Sequence, residues 1–340
     1  MSAKKPDCCD LCGSQNHELV FVNKDRMFPE IEGKFKVYQC KNCGLSFLDQ
    51  PCRQVLEKHY SAGYSVISDF SETRDSRKIF TLIETLYHYV QGRKDISGFS
   101  KVLKILFAPF SPFFRTVKIV EEGRYLDVGC GIGYFPLTMK YLGMEPNGVE
   151  PAGFDPELSK RYNLNIFNGT LDQAKFKDNY FDVISLNHVL EHVNSPSETI
   201  RELNRILKPG GYLIIAVPVK DSLASKLFGK YWAQVDTPRH LYLFSREILE
   251  EYARKYDFDI LKVRYNSEPR YQIISSMIYL LENFFNRKIN RVIIHNLYLN
   301  LLLIPFTTVL NLFKLGDQCE IILKKNSTHK SPQNYPIHSK

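Results

Sequence analysis

The sequence predicts an α/β protein in which helices cover a Rossmann-like parallel sheet, with a small zinc-ribbon-like module in front and an apolar helical insertion before the last strand. Three observations lead to this prediction. From residue 124 onward, short apolar runs alternate with amphipathic segments. A glycine-rich turn follows the first of these runs. Two Cys-x-x-Cys pairs lie near the N-terminus.

Composition limits the class of protein. The chain has 340 residues, of which 44% are hydrophobic, which is enough for two or three folding units. No apolar run opens the sequence, so no secretory signal is predicted, and eight cysteines then indicate reduced thiols and a cytoplasmic protein. The formal net charge of +8 suits nucleic acid or an anionic membrane surface and identifies neither.

The chain divides into four parts that differ in composition and sequence pattern. Residues 1–52 form the cysteine module, residues 53–122 a helical linker or lid, residues 123–325 the α/β domain, and residues 326–340 a polar tail expected to be disordered. Within the α/β domain, residues 266–317 separate the last two strands. An insertion of that size is far longer than the usual connection of about 4–6 residues and is expected to be functional.

The predicted elements of the α/β domain are bounded by capping and turn signals. Strands are predicted at 124–128, 145–149, 165–167, 181–186, 211–217, 258–265 and 319–324. An Asp-Pro pair at 155–156 starts one helix, and a capping box at 195–198 starts the next, which Lys-Pro-Gly-Gly at 208–211 stops. Ser245 is expected to cap a helix that runs to about Lys255.

The first strand ends in the motif Asp-x-Gly-x-Gly-x-Gly at 127–133. Glycines let the backbone turn sharply and let a ligand approach the main chain closely. A dinucleotide loop would have a glycine at the position of Tyr134, so the spacing favours a ligand without a pyrophosphate over a dinucleotide or a chance cluster. Glu150, at the end of the second strand, is placed to accept hydrogen bonds from both hydroxyls of a ribose.

Three further motifs follow in order: Phe-Asp-Val-Ile at 181–184, His-Val-Leu-Glu-His-Val at 188–193 and Arg-Ile-Leu-Lys-Pro-Gly-Gly at 205–211. With these motifs, residues 120–265 resemble the class I S-adenosylmethionine-dependent methyltransferases. Within that class the segment is similar to the branch that includes ubiquinone-biosynthesis O-methyltransferases and many sugar and polysaccharide methyltransferases. The resemblance implies a seven-stranded sheet whose last strand is antiparallel.

The resemblance also implies S-adenosylmethionine as the methyl donor and assigns eight residues to it: Asp127, Gly129, Gly131, Gly133, Glu150, Thr170, Leu171 and Asn187. The glycine loop and its aspartate would hold the methionine end, and Glu150 the ribose. Thr170 and Leu171 would flank the adenine, and Asn187 would meet the methionine amine. Many relatives place an acid beside the adenine, whereas here the first acid, Asp172, comes two residues late.

The cysteine module contains two knuckles of the same form, Cys-x-x-Cys-Gly at 9–13 and at 40–44. The predicted metal ligands are Cys9, Cys12, Cys40 and Cys43. Four thiolates at this spacing suit tetrahedral zinc in a closed, structural site, and iron or unpaired thiols are the alternatives. Cys8 lacks the two-residue spacing, and Cys52, Cys130 and Cys319 are expected to be packing residues.

The module also resembles the cysteine-rich leader of many polysaccharide-cluster methyltransferases, in which a tyrosine-rich segment follows the second knuckle. Here that segment is His-Tyr-Ser-Ala-Gly-Tyr at 59–64. The resemblance implies that Tyr60 and Tyr64 form a lid over the donor. The alternative is a pair of surface aromatics at a helix–loop junction.

Four residues are candidates for catalysis: His188, Glu191, His192 and His240. If the turn after the fourth strand is helical, the first three share one face above the carboxyl ends of the strands, where open α/β sheets bind ligands. His240 could reach the same crevice. Three interpretations stay open: a second, divalent metal ion at these residues that lowers the pKa of a substrate hydroxyl, a metal-free general base at His188 or His192, or a structural Glu191–His192 pair.

The insertion is strongly apolar, with no charged side chain from Val292 to Phe313. That length raises the question of a transmembrane helix, but a single crossing would separate the last strand from its sheet. A helix or helical hairpin lying on the inner face of the membrane, beside basic residues such as Arg287 and the basic aromatic stretch at 101–118, is therefore predicted. A protein lid or a dimer face is the alternative.

The leading functional prediction is a methyltransferase that acts on an oxygen, or else a carbon, of a small molecule such as a quinone, a sugar or glycan, or a lipid-linked acceptor. A ribosomal RNA methyltransferase with a zinc module and a catalytically silent donor-binding scaffold at the membrane are the alternatives. The segment after the fourth strand lacks the Asn-Pro-Pro-Tyr type of motif, and the insertion is lipophilic, so nucleic acid is not the expected partner.

Overall fold

A computed structural model describes residues 7–28, 30–49, 56, 59, 82–88 and 114–327 of the chain. The described strands are β1 (His17–Asn23), β2 (Phe35–Cys40), β3 (Ser46–Leu48), β4 (Arg124–Val128), β5 (Glu145–Glu150), β6 (Asn165–Asn168), β7 (Phe181–Asn187), β8 (Leu207–Pro218), β9 (Tyr242–Leu243), β10 (Phe258–Tyr265) and β11 (Gln318–Lys325). The predicted lid tyrosines 60 and 64, the packing role of Cys52, the basic stretch at 101–113 and the tail from 328 lie outside the described residues.

The helices that follow β4 are α1 (Tyr134–Tyr141), α2 (Pro156–Tyr162), α3 (Leu171–Ala174), α4 (Pro196–Ile206), α5 (Leu223–Phe228), α6 (Arg246–Lys255), α7 (Ser276–Phe285) and α8 (Leu297–Leu312). Residues 82–88 form a further helical segment ahead of them. The predicted caps are present: Asp155 Oδ1 accepts from the backbone N–H groups of Glu157 and Leu158 at 3.0 Å each, and Ser195 Oγ accepts from Glu198 N at 3.2 Å.

The central sheet has seven strands in the order β10-β11-β8-β7-β4-β5-β6. β11 pairs antiparallel with both of its neighbours, and the pairs from β8 through to β6 are parallel. The prediction of a seven-stranded α/β sheet with an antiparallel last strand is confirmed. Because β4, β5, β7 and β8 run in the same direction, their carboxyl ends meet at one edge, where the candidate site lies.

One strand begins earlier than predicted. β8 starts at Leu207, directly after α4, whereas the sequence placed the strand start at Gly211. Pro209 cannot continue a helix, and Gly210 has φ of 76°, so the Lys-Pro-Gly-Gly segment stops α4 as expected. It then joins the sheet through an irregular register opposite Phe181 and Val183 instead of forming a separate turn.

The cysteine module and the α/β domain share one small sheet. β1, β2 and β3 pair antiparallel, and β9 of the α/β domain adds the fourth strand. Leu48 N donates to Leu241 O at 2.8 Å beside this pairing. Apolar side chains of both parts belong to one buried cluster, which includes Leu45 and Phe47 of the module and Ile200 and Phe244 of the domain. The module is therefore packed as part of the same core.

Asp10, between the two cysteines of the first knuckle, anchors the module to the start of α4 and to Tyr252 of α6. Its Oδ1 accepts from Ser195 Oγ at 2.7 Å, and its Oδ2 accepts from Ser197 N at 2.9 Å and from Tyr252 Oη at 2.6 Å. On the second knuckle, Lys220 Nζ donates to Gly44 O at 2.6 Å. A carboxylate at the N-terminus of α4 also interacts favourably with the helix dipole.

The insertion between β10 and β11 is helical. It opens with a π-helical turn at Arg270–Ser275 and continues through α7 and α8. Asn311, near the end of α8, is hydrogen-bonded to Ser267, just after β10. Its Oδ1 accepts from Ser267 N and its Nδ2 donates to Ser267 O, both at 3.1 Å. Leu302, Leu312 and Phe313 are each more than 70% exposed. Within the part of the chain that the structure describes, no helix combines the length and apolarity that a bilayer crossing requires.

The buried carboxyl group of Glu84, which contacts Thr138 of α1, makes the stability of the fold depend on pH. It is 5% exposed, and Thr138 Oγ1 donates to its Oε2 at 3.3 Å. Burial raises the pKa of the Glu84 carboxyl from 4.5 to about 7, a rise that the neighbouring Arg115 reduces and the charge of Asp127 increases. The folded state therefore binds more protons than the unfolded state, so the contribution of this group to stability falls as pH rises from about 4.5 through 7.

We expect Glu84→Gln to remove this part of the pH dependence and to make the protein more stable than wild type above pH 7. Urea unfolding gives the free energy of unfolding of both proteins at pH 5 and at pH 8. The slope of that free energy against pH is then compared between wild type and variant. Other buried groups titrate equally in both proteins and cancel in that difference. Identical slopes for wild type and variant would contradict the assignment.

Candidate functional site

The glycine loop after β4 is held in conformations that favour glycine. Gly129, Gly131 and Gly133 have φ of 70°, 54° and 95°. A Cβ at Gly129 would lie 2.4 Å from Val189 Cγ2, and one at Gly133 would lie 2.8 Å from Ile166 Cδ1. A Cβ at Gly131 would meet nothing within 4 Å. A side chain at Gly129 or Gly133 would have to displace Val189 or Ile166, whereas Gly131 faces space that no described residue fills and where a ligand can approach the backbone.

Asp127, the first residue of the loop motif, is fully buried. Its Oδ1 accepts from Ser185 Oγ at 2.7 Å and its Oδ2 accepts from Arg115 Nη1 at 3.2 Å. Ser185 in turn is hydrogen-bonded to Tyr125 Oη. In this structure the carboxylate fixes the base of the loop, and the predicted contact with the methionine end stays a prediction. Arg115 and Ser185 were not predicted as site residues, since neither belongs to a motif.

Glu150 ends β5 directly beside the loop. Its Oε2 accepts from Gly131 N at 2.8 Å, and its Oε1 accepts from Ala152 N at 2.9 Å. Burial raises the pKa of this carboxyl, although the two backbone N–H groups act in the opposite direction. Each oxygen retains a second acceptor position, so the carboxylate can hold the loop and still receive ribose hydroxyls.

The residues predicted to meet the adenine and the methionine amine lie at the neighbouring strand ends. Thr170 is the N-cap of α3, where its backbone N–H donates to Gln173 Oε1 at 2.9 Å, and Leu171 is buried in the first turn. Asn187 is the last residue of β7 and is half-buried. Gly169 N donates to Glu150 O at 3.2 Å, which ties the predicted adenine loop to the predicted ribose residue. Their contacts with a donor stay predictions.

The segment after β7 is a series of turns, so the condition for one shared helix face of His188, Glu191 and His192 is not met. His188 has φ of 55°, a left-handed conformation that cannot continue into a helix, and α4 begins only at Pro196. The turns still place His188 Nδ1 3.2 Å from Glu191 Oε1. Burial by itself would lower the pKa of His188, but the hydrogen bond to Glu191 and the charge of that carboxylate outweigh it and raise the pKa.

His192 and His240 lie on the other side of Glu191. Their rings meet edge to face with centroids 4.7 Å apart. His192 Nδ1 lies 3.0 Å from Arg239 O, and His240 Nδ1 lies 2.7 Å from Gln234 O. One potential ligand atom from each of Glu191, His192 and His240 lies within 4.8 Å of the others. The fold therefore brings all four predicted catalytic residues together, divided into a His188–Glu191 pair and a Glu191–His192–His240 cluster.

The histidine cluster rests on a buried ionic network that the sequence did not predict. Arg239 is fully buried; its Nη1 and Nη2 donate to the two oxygens of Asp25 at 2.7 and 3.0 Å, and its Nε and Nη2 donate to Asp236 at 2.9 and 2.6 Å. His59 Nδ1 lies 2.6 Å from Asp25 Oδ2. Because the carbonyl of Arg239 also meets His192, the N-terminal module reaches the candidate site through Asp25.

The four predicted zinc ligands converge. Cys9 Sγ and Cys43 Sγ are 3.5 Å apart, as are Cys12 Sγ and Cys40 Sγ, and the four sulfur atoms lie within 4.8 Å of one another. A tetrahedral zinc with Zn–S bonds of about 2.3 Å requires S···S distances of about 3.8 Å. The glycines after the second cysteines have φ of 72° and 81°, as the predicted knuckles require. The donor set and its spacing fit zinc.

Comparison with known proteins places the central domain. Residues 101–263 match the family model described as a methyltransferase domain. The chain is 34% identical over 103 residues to the ubiquinone biosynthesis O-methyltransferase of Xanthomonas oryzae. The aligned segment covers 27% of this chain and 42% of that protein. It is 27% identical over 139 residues to a sterol 4-C-methyltransferase of Caenorhabditis elegans. That alignment covers 38% of this chain and 40% of the relative. This chain thus spans less than half the length of either relative.

Among solved structures, a S-adenosylmethionine-dependent methyltransferase from Archaeoglobus fulgidus aligns with a TM-score of 0.40 and 20% identity, over 66% of this chain and 94% of that one. The family match and the seven-stranded sheet order together support a S-adenosylmethionine-dependent methyltransferase domain. Residues 101–263 of this chain carry the matched part of that domain.

Proposed function

We propose that this protein transfers the methyl group of S-adenosylmethionine to a hydroxyl oxygen of a small-molecule, sugar, glycan or lipid-linked acceptor. One observation carries the proposal: the open face of Gly131 beside Glu150 and the pair formed by half-buried His188 and buried Glu191 lie at the carboxyl ends of adjacent strands. A donor seated on the loop would have its methyl group directed toward that pair. This is the arrangement that a direct transfer needs.

The chemistry assigned to the pair is proton removal. The acceptor oxygen attacks the sulfonium methyl, the new O–C bond forms as the C–S bond breaks, and the acceptor proton passes to His188. The hydrogen bond from Nδ1 to Glu191 leaves Nε2 as the basic nitrogen, and the carboxylate stabilises the imidazolium that results. The sulfonium is activated already, so positioning and this proton transfer are what the protein contributes.

The apolar insertion supports a lipophilic or lipid-linked acceptor at the inner face of a membrane. On α8, Leu302 and Leu312 are exposed. Lys288, in the segment between α7 and α8, has a side chain that is 78% exposed. Basic residues beside an apolar helix favour an anionic lipid surface. The two relatives named above act in ubiquinone biosynthesis and on a sterol, which also supports a lipophilic acceptor for this chain.

We also propose that the four-cysteine site holds a structural zinc ion. A closed set of four thiolates leaves no open position for chemistry. Its role would be to hold the two knuckles so that Asp10 and the β3–β9 pairing can anchor the module to the domain.

The proposed base is tested by His188→Ala. We expect calorimetry to give an affinity for S-adenosylhomocysteine within about twofold of wild type, and methyl transfer to fall by about 10²- to 10⁴-fold. Transfer is measured with radiolabelled donor and a whole-cell extract that is separated into lipid, glycan and RNA fractions. His17→Ala, in β1 of the module, is the matched histidine control and should retain transfer.

Normal transfer by His188→Ala would contradict the assigned base. Label in the RNA fraction would favour the RNA methyltransferase alternative, and donor binding without transfer to any fraction would favour the scaffold. If folded wild-type protein gave neither heat nor thermal protection with S-adenosylhomocysteine, the proposed function itself would be wrong.

A further inference from the structure

Glu191 carries a buried oxygen for which the described residues supply no hydrogen bond. The residue is 1% exposed, and its Oε1 lies 3.2 Å from His188 Nδ1. Its Oε2 has no hydrogen-bond partner among the described residues. A buried carboxylate oxygen without a donor is costly, because desolvation of the charge is not repaid. This atom lies in the cluster with His192 and His240.

Both imidazoles of the cluster are oriented by backbone carbonyls. A carbonyl oxygen only accepts, so the Nδ1 atoms of His192 and His240 must carry the hydrogens that they donate to Arg239 O and Gln234 O. In the neutral rings the lone pair is then on Nε2. Histidine ligands of metal ions are held in the same way, with the second nitrogen donating to a carbonyl or a carboxylate.

Two nearby groups do not complete the cluster as ordinary hydrogen-bond partners. Asp236 Oδ2 is 3.9 Å from His240 Nε2, which is beyond hydrogen-bond distance, and both oxygens of Asp236 already accept from Arg239. His188 contacts the other oxygen of Glu191. One potential ligand atom from each of the two imidazoles and from the carboxylate lies close enough to the others to bind a single ion, which gives a three-ligand set.

We propose that Glu191, His192 and His240 bind a divalent first-row transition metal ion of the zinc type. Two histidines and one glutamate with open positions form a recognised catalytic donor set for such ions, whereas Mg²⁺ prefers oxygen ligands alone. His188 lies outside this set and orients Glu191 through Oε1. This inference deepens the proposed function and rests on it: the ion would lower the pKa of the acceptor hydroxyl beside the donor, so that its proton passes more readily to His188 as the oxygen attacks the methyl carbon.

The number of metal ions bound per protein distinguishes this site from the four-cysteine site. We expect full-length wild-type protein, saturated with Zn²⁺ and desalted, to retain two equivalents by mass spectrometry of the metal. His192→Ala and His240→Ala should each retain one. With Co²⁺ as the probe, both variants should keep the intense thiolate charge-transfer bands and lose only the weak visible bands of a nitrogen–oxygen site.

His188→Ala provides a sharper control, since it removes the partner of Glu191 without removing a ligand. It should keep both equivalents at saturating metal and bind the second about 10- to 100-fold more weakly. Retained thiolate bands and an unchanged far-ultraviolet spectrum show that each variant is folded. One equivalent in the wild type, or two in both His192→Ala and His240→Ala, would overturn the proposal.

Activity is a separate readout. Wild-type protein with the second equivalent but without methyl transfer would contradict the proposed function and leave the metal site standing. Wild-type protein stripped of the second equivalent that still binds S-adenosylhomocysteine and transfers methyl at the full rate would contradict the role assigned to the ion.

Discussion

Cys40→Ser is expected to abolish tight metal binding by the cysteine module and to unfold it. Cys40 is buried at the end of β2 and its sulfur lies 3.5 Å from that of Cys12. In small zinc modules, metal binding contributes on the order of 10 kcal/mol to folding. The module, residues 1–52, is too small to retain its short strands without the ion.

The loss is expected to extend beyond the module, because β3 pairs with β9 and the two parts share a core. Cobalt charge-transfer bands measure the thiolate site, and urea unfolding measures the stability of the whole chain. Cys8→Ser is the matched control, since Cys8 is exposed and outside the sulfur cluster, and it should behave as wild type. Equal metal affinity and equal unfolding midpoints for the two variants would exclude a structural role for the four-cysteine site.

Arg239→Met is expected to destabilise the folded protein by about 3–5 kcal/mol. The arginine side chain is 0% exposed, as is that of Asp25, and the substitution leaves two carboxylates without the guanidinium that they share. Burial raises the pKa of Asp25, but the hydrogen bonds and charge of Arg239 outweigh it and hold the pKa below its ordinary value. Without the arginine, burial of the charged carboxylate is no longer compensated.

Urea unfolding gives the free-energy change directly, with Arg254→Met as the control. Arg254 forms ion pairs with Glu250 and Glu251 on α6, but its side chain is 50% exposed, so its removal should cost less than about 1 kcal/mol. Similar losses for the two variants would show that the buried network does not stabilise the fold. Retained thiolate–cobalt bands in Arg239→Met would separate this effect from damage to the cysteine site.

Features that depend on neighbouring residues were predictable from the printed sequence. Asp155 and Ser195 cap the helices predicted for them, α6 ends at Lys255 as predicted, and the glycines after the cysteine pairs adopt the predicted turns. The strands of the central sheet follow the apolar runs. A cap, a turn or an apolar period requires only residues a few positions apart, so the printed sequence is sufficient to recognise it.

How these parts meet follows from long-range packing. From the sequence, His188, Glu191 and His192 would share one face if their segment were helical, whereas the left-handed turn divides them between two arrangements around one carboxylate. It gave no sign that β9 completes the module's sheet or that Asp25 pairs with Arg239, 214 positions away. Contacts between distant residues have no period in the sequence. They exist because burial of shared apolar surface brings the elements together and leaves buried charges no partners except one another.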